Sequence, residues 1–509
     1  NGEIYNHISL RNQLKNSGHK FKTSSSDTEV IIHGYEEWGI EGLLQRIEGD
    51  WGIGLWDSNK QKLFLIRDRA GVKPVYFSLQ KNMFIFASEI KAIVEHPDVN
   101  RDIDPNAMYH YLSFLTTPAP LTMFKGIFKL PSGHCLEINK NGKFRSWKYW
   151  DSIPENSDLS KEVEGLKPSE KKHFYIKSIR ELLQNSVEKR MMSDVPLGVF
   201  LSGGVDSSTN VAMMTRTMSK PVDTFTVGFE DYDHLNELNY ARLIAKKFNT
   251  NHHEILINEN DMTGFLDNLV YQQDEPIADW VCIPLHFVSK LAKEKGETVI
   301  QVGEGADEQF CGYDGYLSYL RLFHKYWTPY KAIIPTNIQY LFANIAQWGA
   351  GKNTSLQVYA DIFDRAAKNR EHFWSGAMSF WETMKLPLIN SKSIVPSFIP
   401  KQLADTGLFP KDFLHSDSFK VIDYFYKNFD KQNPNKDMLT RMIYSEFKLR
   451  LPELLLMRVD KITMGNSIEA RVPFLDHKLI DFSMDIPMAD KIEGNVPKNL
   501  LKEAVRGII

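Results

Sequence analysis

The stretch between residues 176 and 312 alternates short apolar runs with longer amphipathic runs, and this order constrains the fold most. The apolar runs LGVFLSG, VDTFTVGF, HHEILI and ETVIQVG are typical of strands, and helical patterns separate them. Strands that alternate with helices favour a parallel, doubly wound sheet. From residue 313 to 509, aromatic residues recur at helical spacing, which predicts helices that extend this sheet domain.

Residues 1–150 show a different pattern of apolar and turn-forming residues. Short strand-like runs such as KLFLIRDR and NMFIFASE are separated by Gly, Asn and Asp, and two helical patterns interrupt them. This mixture predicts an antiparallel α+β domain, and KNGK at 140–143 predicts a two-residue hairpin turn. A polar segment at 151–175 predicts a linker, which leaves 176–509 as the second domain. The expected fold class is therefore a two-domain α/β protein.

Composition excludes several classes of protein. Among 509 residues, 61 Lys and Arg oppose 64 Asp and Glu, so the net charge of −3 gives no sign of a nucleic-acid surface. No run approaches the ~18 apolar residues of a membrane span. Three scattered cysteines are too few for a disulfide framework or a cysteine zinc site, and they fit a reducing, cytoplasmic setting.

The segment SGGVDSS follows the first strand of the predicted parallel sheet and opens a helix. Two adjacent glycines let backbone N–H groups surround an anion, and the helix N-terminus adds partial positive charge. Hydroxyls can bind phosphate oxygens, and an aspartate here suits Mg²⁺ held against the phosphates. No lysine follows the glycines, which excludes a Walker-type loop. A capped strand-to-helix turn is the alternative, but the complete motif favours a phosphate loop formed by Ser202, Gly203, Gly204, Asp206, Ser207 and Ser208.

The segment VGEGADE follows a later strand, so it is expected at the carboxyl edge of the same sheet. Ligands of open α/β sheets bind at that edge. Glu304 and Asp307 would then face the phosphate loop, and Gly303 and Gly305 would permit a close approach. Simple capping of a helix N-terminus is the alternative interpretation of these acidic residues.

With these motifs, the chain resembles the glutamine-dependent asparagine synthetase family over essentially its whole length. The resemblance implies that ATP is cleaved between its α and β phosphates, and that Asp206 and Asp307 coordinate Mg²⁺–pyrophosphate. It also implies that adenosine is held mostly through backbone atoms, at Leu201, Val227, Val302 and Gly303. Family members commonly have Ser at the position of Val302, and a backbone contact survives that difference.

The resemblance assigns catalytic roles to two residues. Glu304 would assist formation of the acyl-adenylate and proton transfer from ammonia, and Lys498 in NVPKNLLK would neutralise charge on the α-phosphate. On sequence alone, Lys498 is a surface lysine of a helix. Segment 457–482 contains charged residues between apolar ones, which favours a partly buried network made by Arg458, Asp460, Lys461, Glu469, Arg471 and Asp476.

The first residues, NGEIYNH, resemble the glutamine-binding segment of class II amidotransferase domains, which have an N-terminal-nucleophile amidohydrolase fold. The resemblance implies that Asn1 and Gly2 form the oxyanion hole, that Glu3 holds the substrate and that Asp27 pairs with the α-ammonium of glutamine. The alternatives are a plain turn for Asn-Gly and a helix N-cap for Asp27.

Such glutaminases use an N-terminal cysteine as nucleophile. The chain begins at Asn1 and ends inside a helical pattern, so we expect a segment of a longer protein that is incomplete at both ends. We do not expect this segment to hydrolyse glutamine. Cys135 lies in a strand-like run and is predicted to be buried, while Cys282 and Cys311 belong to the second domain.

The family reaction converts aspartate and ATP into β-aspartyl-AMP and pyrophosphate, and ammonia from glutamine then gives asparagine, AMP and glutamate. Residues 274–287 should line the acceptor pocket, where some relatives carry Thr and Arg but this chain has Asp279, Trp280 and Cys282. Aspartate is thus the default acceptor, and another carboxylate such as a surface-polysaccharide sugar acid stays open. The less favoured alternatives are an adenylating enzyme without a glutaminase and a non-catalytic subunit. We expect small-molecule partners, and a homodimer stays open.

Overall fold

The computed structural model of the protein describes residues 1–81, 83–153, 159–232, 234, 236–351, 353–385, 388–389, 394–434 and 436–509. Residues 154–158 of the predicted linker lie outside these ranges. Among the described residues, no helix combines the length and apolarity that crossing a bilayer requires.

The first part of the chain forms two antiparallel sheets, with strand orders β1-β2-β3-β7-β8 and β5-β4-β6. Its elements are β1 (Gly2–Ile4), α1 (His7–Asn16), α2 (Thr28–Arg46), β2 (Gly49–Asp57), β3 (Lys62–Arg67), β4 (Tyr76–Gln80), β5 (Met83–Ala87), α3 (Ile90–Val94), α4 (Pro105–Phe114), β6 (Ile127–Lys129), β7 (His134–Asn139) and β8 (Phe144–Lys148). Apolar side chains of α1 and α2, such as Leu14 and Leu43, share a core with Trp51 and Ile66 of the larger sheet. The predicted antiparallel α+β architecture is confirmed.

The predicted hairpin at KNGK joins β7 to β8, but its loop is longer than expected. The Asn139 N–H donates to the Lys143 carbonyl at 3.1 Å, so three residues lie between this closing pair. Gly142 has φ +68°, the left-handed conformation that closes three-residue hairpins with a glycine bulge. The glycine therefore takes the bulge position and not a site within a two-residue turn.

The second part contains a five-stranded, all-parallel sheet with the order β11-β10-β9-β12-β13. The elements up to the fourth strand are α5 (Leu159–Glu162), α6 (Pro168–Lys189), β9 (Leu197–Phe200), α7 (Val205–Thr217), β10 (Asp223–Phe229), α8 (Leu238–Phe248), β11 (Asn251–Ile257), α9 (Glu259–Gly264), α10 (Leu266–Gln273), α11 (Cys282–Glu294), β12 (Val299–Gln301) and α12 (Ala306–Phe310). The predicted doubly wound sheet is confirmed. The chain order reverses between β9 and β12, which makes the gap between these strands the switch point.

Helix α6 begins at Pro168, inside the polar segment 151–175 that was predicted to be a linker. Proline favours the first helical position because its missing N–H needs no partner there. The Glu170 carboxylate also accepts a hydrogen bond from the Lys167 N–H at 2.8 Å, which caps this end. Local capping therefore extends the helix beyond its apolar stripe.

The remainder of the chain is mostly helical, as predicted, and it adds one strand, β13, to the edge of the parallel sheet. Its elements are α13 (Asp314–Leu322), α14 (Thr328–Ile333), α15 (Thr336–Ala350), α16 (Thr354–Ala367), α17 (Glu382–Lys385), α18 (Lys401–Ala404), α19 (Ser418–Gln432), α20 (Met438–Lys448), α21 (Leu456–Met464), β13 (Glu469–Arg471), α22 (His477–Asp485), α23 (Met488–Lys491) and α24 (Asn499–Val505). The short edge strand β13 carries no sequence signal of its own, since it has only three residues. Its pairing with β12 follows from tertiary packing.

Buried ion pairs join the two parts of the chain. Arg67 of β3 lies 2.9 Å from Glu453, and both side chains are about fully buried. Lys73 pairs with Asp460 at 2.7 Å in a similarly buried setting. Because a buried charge that loses its partner is strongly unfavourable, these pairs hold the antiparallel part firmly against the segment that leads into α21.

Glu453→Gln should destabilise the protein strongly. The change leaves the buried Arg67 guanidinium without its anion, which costs about 3–5 kcal/mol of unfolding free energy. The exposed pair Arg145–Glu41, 3.5 Å apart, offers the matched control, and Glu41→Gln should cost less than about 1 kcal/mol. Denaturant unfolding followed by tryptophan fluorescence measures both changes. Equal effects of the two substitutions would contradict this assignment.

Candidate active site at the edge of the parallel sheet

The SGG loop leaves β9 and turns directly into α7. Gly203 has φ +82°, and a Cβ there would lie 2.5 Å from the Tyr240 Cβ, so this position requires glycine. The Ser202 hydroxyl accepts from the Gly204 N–H at 3.2 Å and lies 3.1 Å from the Ser207 hydroxyl. The loop is therefore a compact turn that presents hydroxyls and the α7 N-terminus at the carboxyl edge of the sheet, as the phosphate-loop interpretation requires.

The second loop, after β12, packs against the first. A Cβ on Gly303 would lie 2.8 Å from the Asp206 Cβ, so glycine is what allows the two loops to approach so closely. Gly305 follows with φ +93° and opens the short helix α12, which carries Asp307. The two sequence motifs, about 100 residues apart in the chain, thus meet at the switch point.

Lys498 joins these two loops from the far end of the chain. Its ammonium lies 2.5 Å from Asp206 Oδ2 and 2.7 Å from Asp307 Oδ1. The residue precedes α24 with a left-handed φ of +56°, and its N–H donates to the Phe310 carbonyl at 3.1 Å. Lys498 is therefore held at the site by its backbone as well, and the surface-lysine alternative is wrong.

Burial and charge repulsion shape the titration of this cluster. Burial, together with repulsion from Asp307, raises the pKa of Asp206 to about 6, although Lys498 opposes the shift. Burial lowers the pKa of Lys498, but attraction to Asp206 and Asp307 outweighs it and raises that pKa overall. Asp206 Oδ1 is buried and has no hydrogen-bond partner among the described residues. This unpaired oxygen is free to bind a further cation.

Glu304 is held by an arginine from a distant part of the sequence. Arg458 of α21 places one nitrogen 2.5 Å from Glu304 Oε1 and another 2.5 Å from Asp279 Oδ2. Arg458, Asp460 and Arg471 each expose 6% or less, so these residues are more deeply buried than expected. They do not form the predicted single network: apart from the pair Arg471–Glu469, the ion pairs of the predicted set among the described residues are with residues outside it. Arg458 ties the second loop to the segment predicted to line the acceptor pocket. Its sequence offers only a charged residue in an apolar run, so this pairing was not predictable.

Some backbone groups near the expected adenosine position already form hydrogen bonds within the protein. The Leu201 N–H donates to the Phe225 carbonyl at 2.9 Å, and the Val302 carbonyl accepts from Asn210 Nδ2 at 3.1 Å. Since Phe225 faces β9 and strand residues alternate, the backbone of Val227 faces the same side. Pairing of β10 with β9 ends at Phe225, so Val227 lies beyond the paired part of this edge.

The four residues predicted to bind glutamine lie together at one end of the larger antiparallel sheet. Asn1 Nδ2 donates to the Ser88 hydroxyl at 3.2 Å, and Asp27 Oδ2 accepts from the Ile4 N–H at 3.1 Å. Asp27 begins α2 but its side chain makes no capping hydrogen bond. A Cβ on Gly2 would meet the Asp50 carbonyl at 2.0 Å, which requires glycine.

Glu3 links this cluster to the parallel sheet. Its carboxylate lies 3.7 Å from Arg471 of β13. Burial, with repulsion from Asp27, nevertheless raises the pKa of Glu3 to about 7. A carboxyl group in this state can accept or donate a hydrogen bond near neutral pH.

Comparison with known proteins identifies the family. A family model described as asparagine synthase matches residues 178–509, and one described as a glutamine amidotransferase domain matches residues 1–150. The chain belongs to the asparagine synthase family. Members of this family are ATP-using ligases of the amidotransferase type, which agrees with the two architectures found here.

Three asparagine synthase relatives illustrate the range of similarity. Asparagine synthetase [glutamine-hydrolyzing] 1 of Bacillus subtilis is 31% identical over 515 residues, covering 100% of this chain and 73% of that protein. Asparagine synthetase [glutamine-hydrolyzing] 3 of the same organism is 28% identical, covering 100% and 72%. Amidase chry2 of Gibberella zeae is 24% identical, covering 100% and 74%.

Asp206→Asn should stabilise the protein in a pH-dependent way. The folded pKa of about 6 exceeds the unfolded value, so ionisation of Asp206 weakens folding above pH ~6 and has no effect below pH ~4. The asparagine variant should therefore be more stable than the parent by about 1–3 kcal/mol at pH 8, and equally stable at pH 4. Denaturant titrations at both pH values test this, and a variant that is less stable at pH 8 would contradict it.

Proposed function

We propose that this chain activates an acceptor carboxylate as an acyl-adenylate, releases pyrophosphate, and transfers ammonia to the acyl group to give an amide and AMP. Aspartate is the default acceptor and asparagine the default product. One observation carries the proposal: the Lys498 ammonium lies between Asp206 and Asp307 at the switch point, beside the glycine loop. An ammonium and two carboxylates at this sheet edge support the proposal, because ligands of open α/β sheets bind there.

The SGG loop supports a binding mode for ATP. The N–H groups of Gly203 and Gly204 and the hydroxyls of Ser202, Ser207 and Ser208 would bind phosphate oxygens. Ser208 Oγ is buried without a partner among the described residues, which suits a ligand contact. The adenosine would lie against Leu201, Val227, Val302 and Gly303, where Val227 lies beyond the pairing of β10 with β9.

The carboxylates of Asp206 and Asp307 fit a Mg²⁺ ion. Both lie within 2.7 Å of one ammonium, so a single cation can reach both. Asp206 Oδ1 also lacks a partner among the described residues, and carboxylate oxygens are the ligands that Mg²⁺ prefers. When bound with pyrophosphate, the ion would neutralise the charge of the leaving group.

Lys498 and Glu304 are the proposed catalytic residues. With Mg²⁺ satisfying the aspartates, the Lys498 ammonium can turn to the α-phosphate and stabilise the charge that develops there. Glu304 would accept a proton from the attacking ammonia, and Arg458 orients its carboxylate at 2.5 Å.

The antiparallel part would bind glutamine but would not hydrolyse it in this chain. Asn1 and Gly2 would form the oxyanion hole, and Glu3 and Asp27 would hold the substrate. The chain's three cysteines do not offer a nucleophile, because Cys135, Cys282 and Cys311 are all buried. Burial raises the pKa of Cys282 and of Cys311 to about 12. We therefore propose that these 509 residues use free ammonia and not glutamine.

The division of the chain belongs to the same proposal: an amidotransferase domain at 1–150, a linker at 151–175 and a synthetase domain at 176–509. A cytoplasmic location and a homodimer stay predictions. No observation among the described residues points to a nucleic-acid partner, and small molecules remain the proposed ligands.

An acceptor other than aspartate is the second candidate. Both terminal nitrogens of Arg458 already contact carboxylates, those of Asp279 and Glu304, and Trp280 next to Asp279 is 64% exposed. An arginine whose charge is already balanced by two carboxylates differs from a dedicated clamp for the carboxylate of a substrate. A larger carboxylate, such as a sugar acid, could stack on the Trp280 ring.

Supplying candidate acids with ATP, Mg²⁺ and ammonia tests the reaction and its acceptor. We expect AMP and pyrophosphate only when the correct acid is present, with one amide formed per AMP. Aspartate as the best acid supports the default, while a sugar acid supports the second candidate. Formation of ADP and phosphate would contradict acyl-adenylate chemistry.

Lys498→Met should reduce kcat/KM for amide formation by about 10²–10³-fold, because one preorganised charge on the transition state is lost. Lys502→Met, on the exposed face of the same helix α24, is the matched control and should retain full activity. Steady-state assays of pyrophosphate release measure both variants. Equal activities of the two variants would exclude Lys498 from catalysis.

A further inference from the structure

Two histidines and a glutamate converge on one point beside α2, far from the synthetase loops in sequence. His19 lies in the loop after α1, and His33 and Glu36 lie three residues apart on α2. The two Nδ1 atoms are 3.2 Å apart, and Glu36 Oε2 lies 3.3 Å from His33 Nδ1 and 3.8 Å from His19 Nδ1. These three groups each offer a ligand atom within 4.8 Å of the other two, close enough for one metal ion to bind all three.

The opposite nitrogen of each ring is held by a carboxylate. His19 Nε2 lies 3.1 Å from Glu37 Oε2, and His33 Nε2 lies 3.5 Å from Glu29 Oε1. Glu29 is fixed as an acceptor, because its carboxylate also accepts from the backbone N–H groups of Lys22 at 2.6 Å and Thr23 at 2.9 Å. Carboxylates accept hydrogen bonds, so these contacts favour the tautomer in which each Nε2 carries the proton.

In that tautomer both Nδ1 atoms present lone pairs to each other and to the Glu36 carboxylate, and one metal ion bound between them would contact all three groups. A histidine that binds zinc through one ring nitrogen usually donates the N–H of its other nitrogen to a carboxylate. The carboxylate fixes the tautomer and the orientation of the ring. Metal–nitrogen bonds of about 2.0–2.1 Å in a tetrahedral site place ligand atoms about 3.3 Å apart. The separations of 3.2 and 3.3 Å match this spacing, and the separation of 3.8 Å requires a small rotation of the exposed Glu36 side chain.

We propose that His19, His33 and Glu36 bind one Zn²⁺ ion, with water completing the coordination. Two nitrogens and one carboxylate oxygen form a common protein ligand set for this metal. The site joins the loop between α1 and α2 to the body of α2. Arg11 also holds this loop, through the carbonyls of Thr23 at 2.6 Å and Ser26 at 2.5 Å.

The loop leads directly to Asp27, which the proposed function places against the glutamine α-ammonium. Zinc bound at His19 would therefore brace the segment that positions this residue. The zinc site itself rests on the His19, His33 and Glu36 geometry alone. The outcome of the zinc-binding experiment is therefore independent of whether the second domain carries out the proposed ATP chemistry.

Metal binding by the intact, chelator-stripped chain tests the proposal. Zn²⁺ titrated against a chromophoric chelator should show one tight site per chain, and Co²⁺ should give the strong visible absorption of a tetrahedral ion. His33→Gln should weaken binding at least 100-fold. Glu37→Gln, which removes the carboxylate behind His19, should weaken it about 10–100-fold.

His173→Gln, which changes an exposed histidine of α6, is the matched control and should leave Zn²⁺ affinity unchanged. Thermal melting of each metal-free variant shows whether it is still folded, so that weaker Zn²⁺ binding can be attributed to the site and not to unfolding. If the two rings merely share a proton, the parent chain and His33→Gln will bind Zn²⁺ equally weakly. That result, or an equal loss in His173→Gln, would overturn the proposal.

Discussion

The reversal of strand order between β9 and β12 is the constraint on which the candidate site depends. Because these two central strands are parallel neighbours whose connections leave in opposite directions, their following loops meet over the sheet edge. Gly303 permits that meeting by leaving room for Asp206, and Gly203 permits the first loop to fold over α8. Lys498 then closes the cluster by pairing with one carboxylate from each loop. The ammonium thereby offsets the repulsion between the two aspartates.

The segment from Glu453 to Arg471 connects this site with the antiparallel part. Glu453 and Asp460 pair with Arg67 and Lys73 across the buried interface. Arg458 on the same helical run holds Glu304, and Arg471 at its end approaches Glu3. One continuous stretch of backbone therefore contacts the two proposed active sites.

The fold followed from the sequence where periodicity was strong and local. The β9, β10, β11 and β12 strands, the glycine loops and the opening helices were all predictable from apolar runs and turn residues. Strand β13 was not, because three residues carry no period, and neither was the early start of α6, which capping at Pro168 decides. The pairing of Arg458 with Glu304 and the meeting of His19 with His33 depend on tertiary approach, so no local pattern reveals them. Lys498 was identified by family resemblance alone, and its left-handed backbone shows why a helix pattern misplaced it.

The central claim is that the cluster at the switch point supports attack of a carboxylate oxygen on the α-phosphorus of ATP. An acceptor acid labelled with ¹⁸O in its carboxylate tests this most directly, with ammonia as the nitrogen source. In acyl-adenylate formation that oxygen becomes bonded to phosphorus, and it leaves with AMP when ammonia takes the acyl group. The account predicts AMP that contains one ¹⁸O atom, measured by mass spectrometry. Unlabelled AMP, or label found in inorganic phosphate, would contradict it.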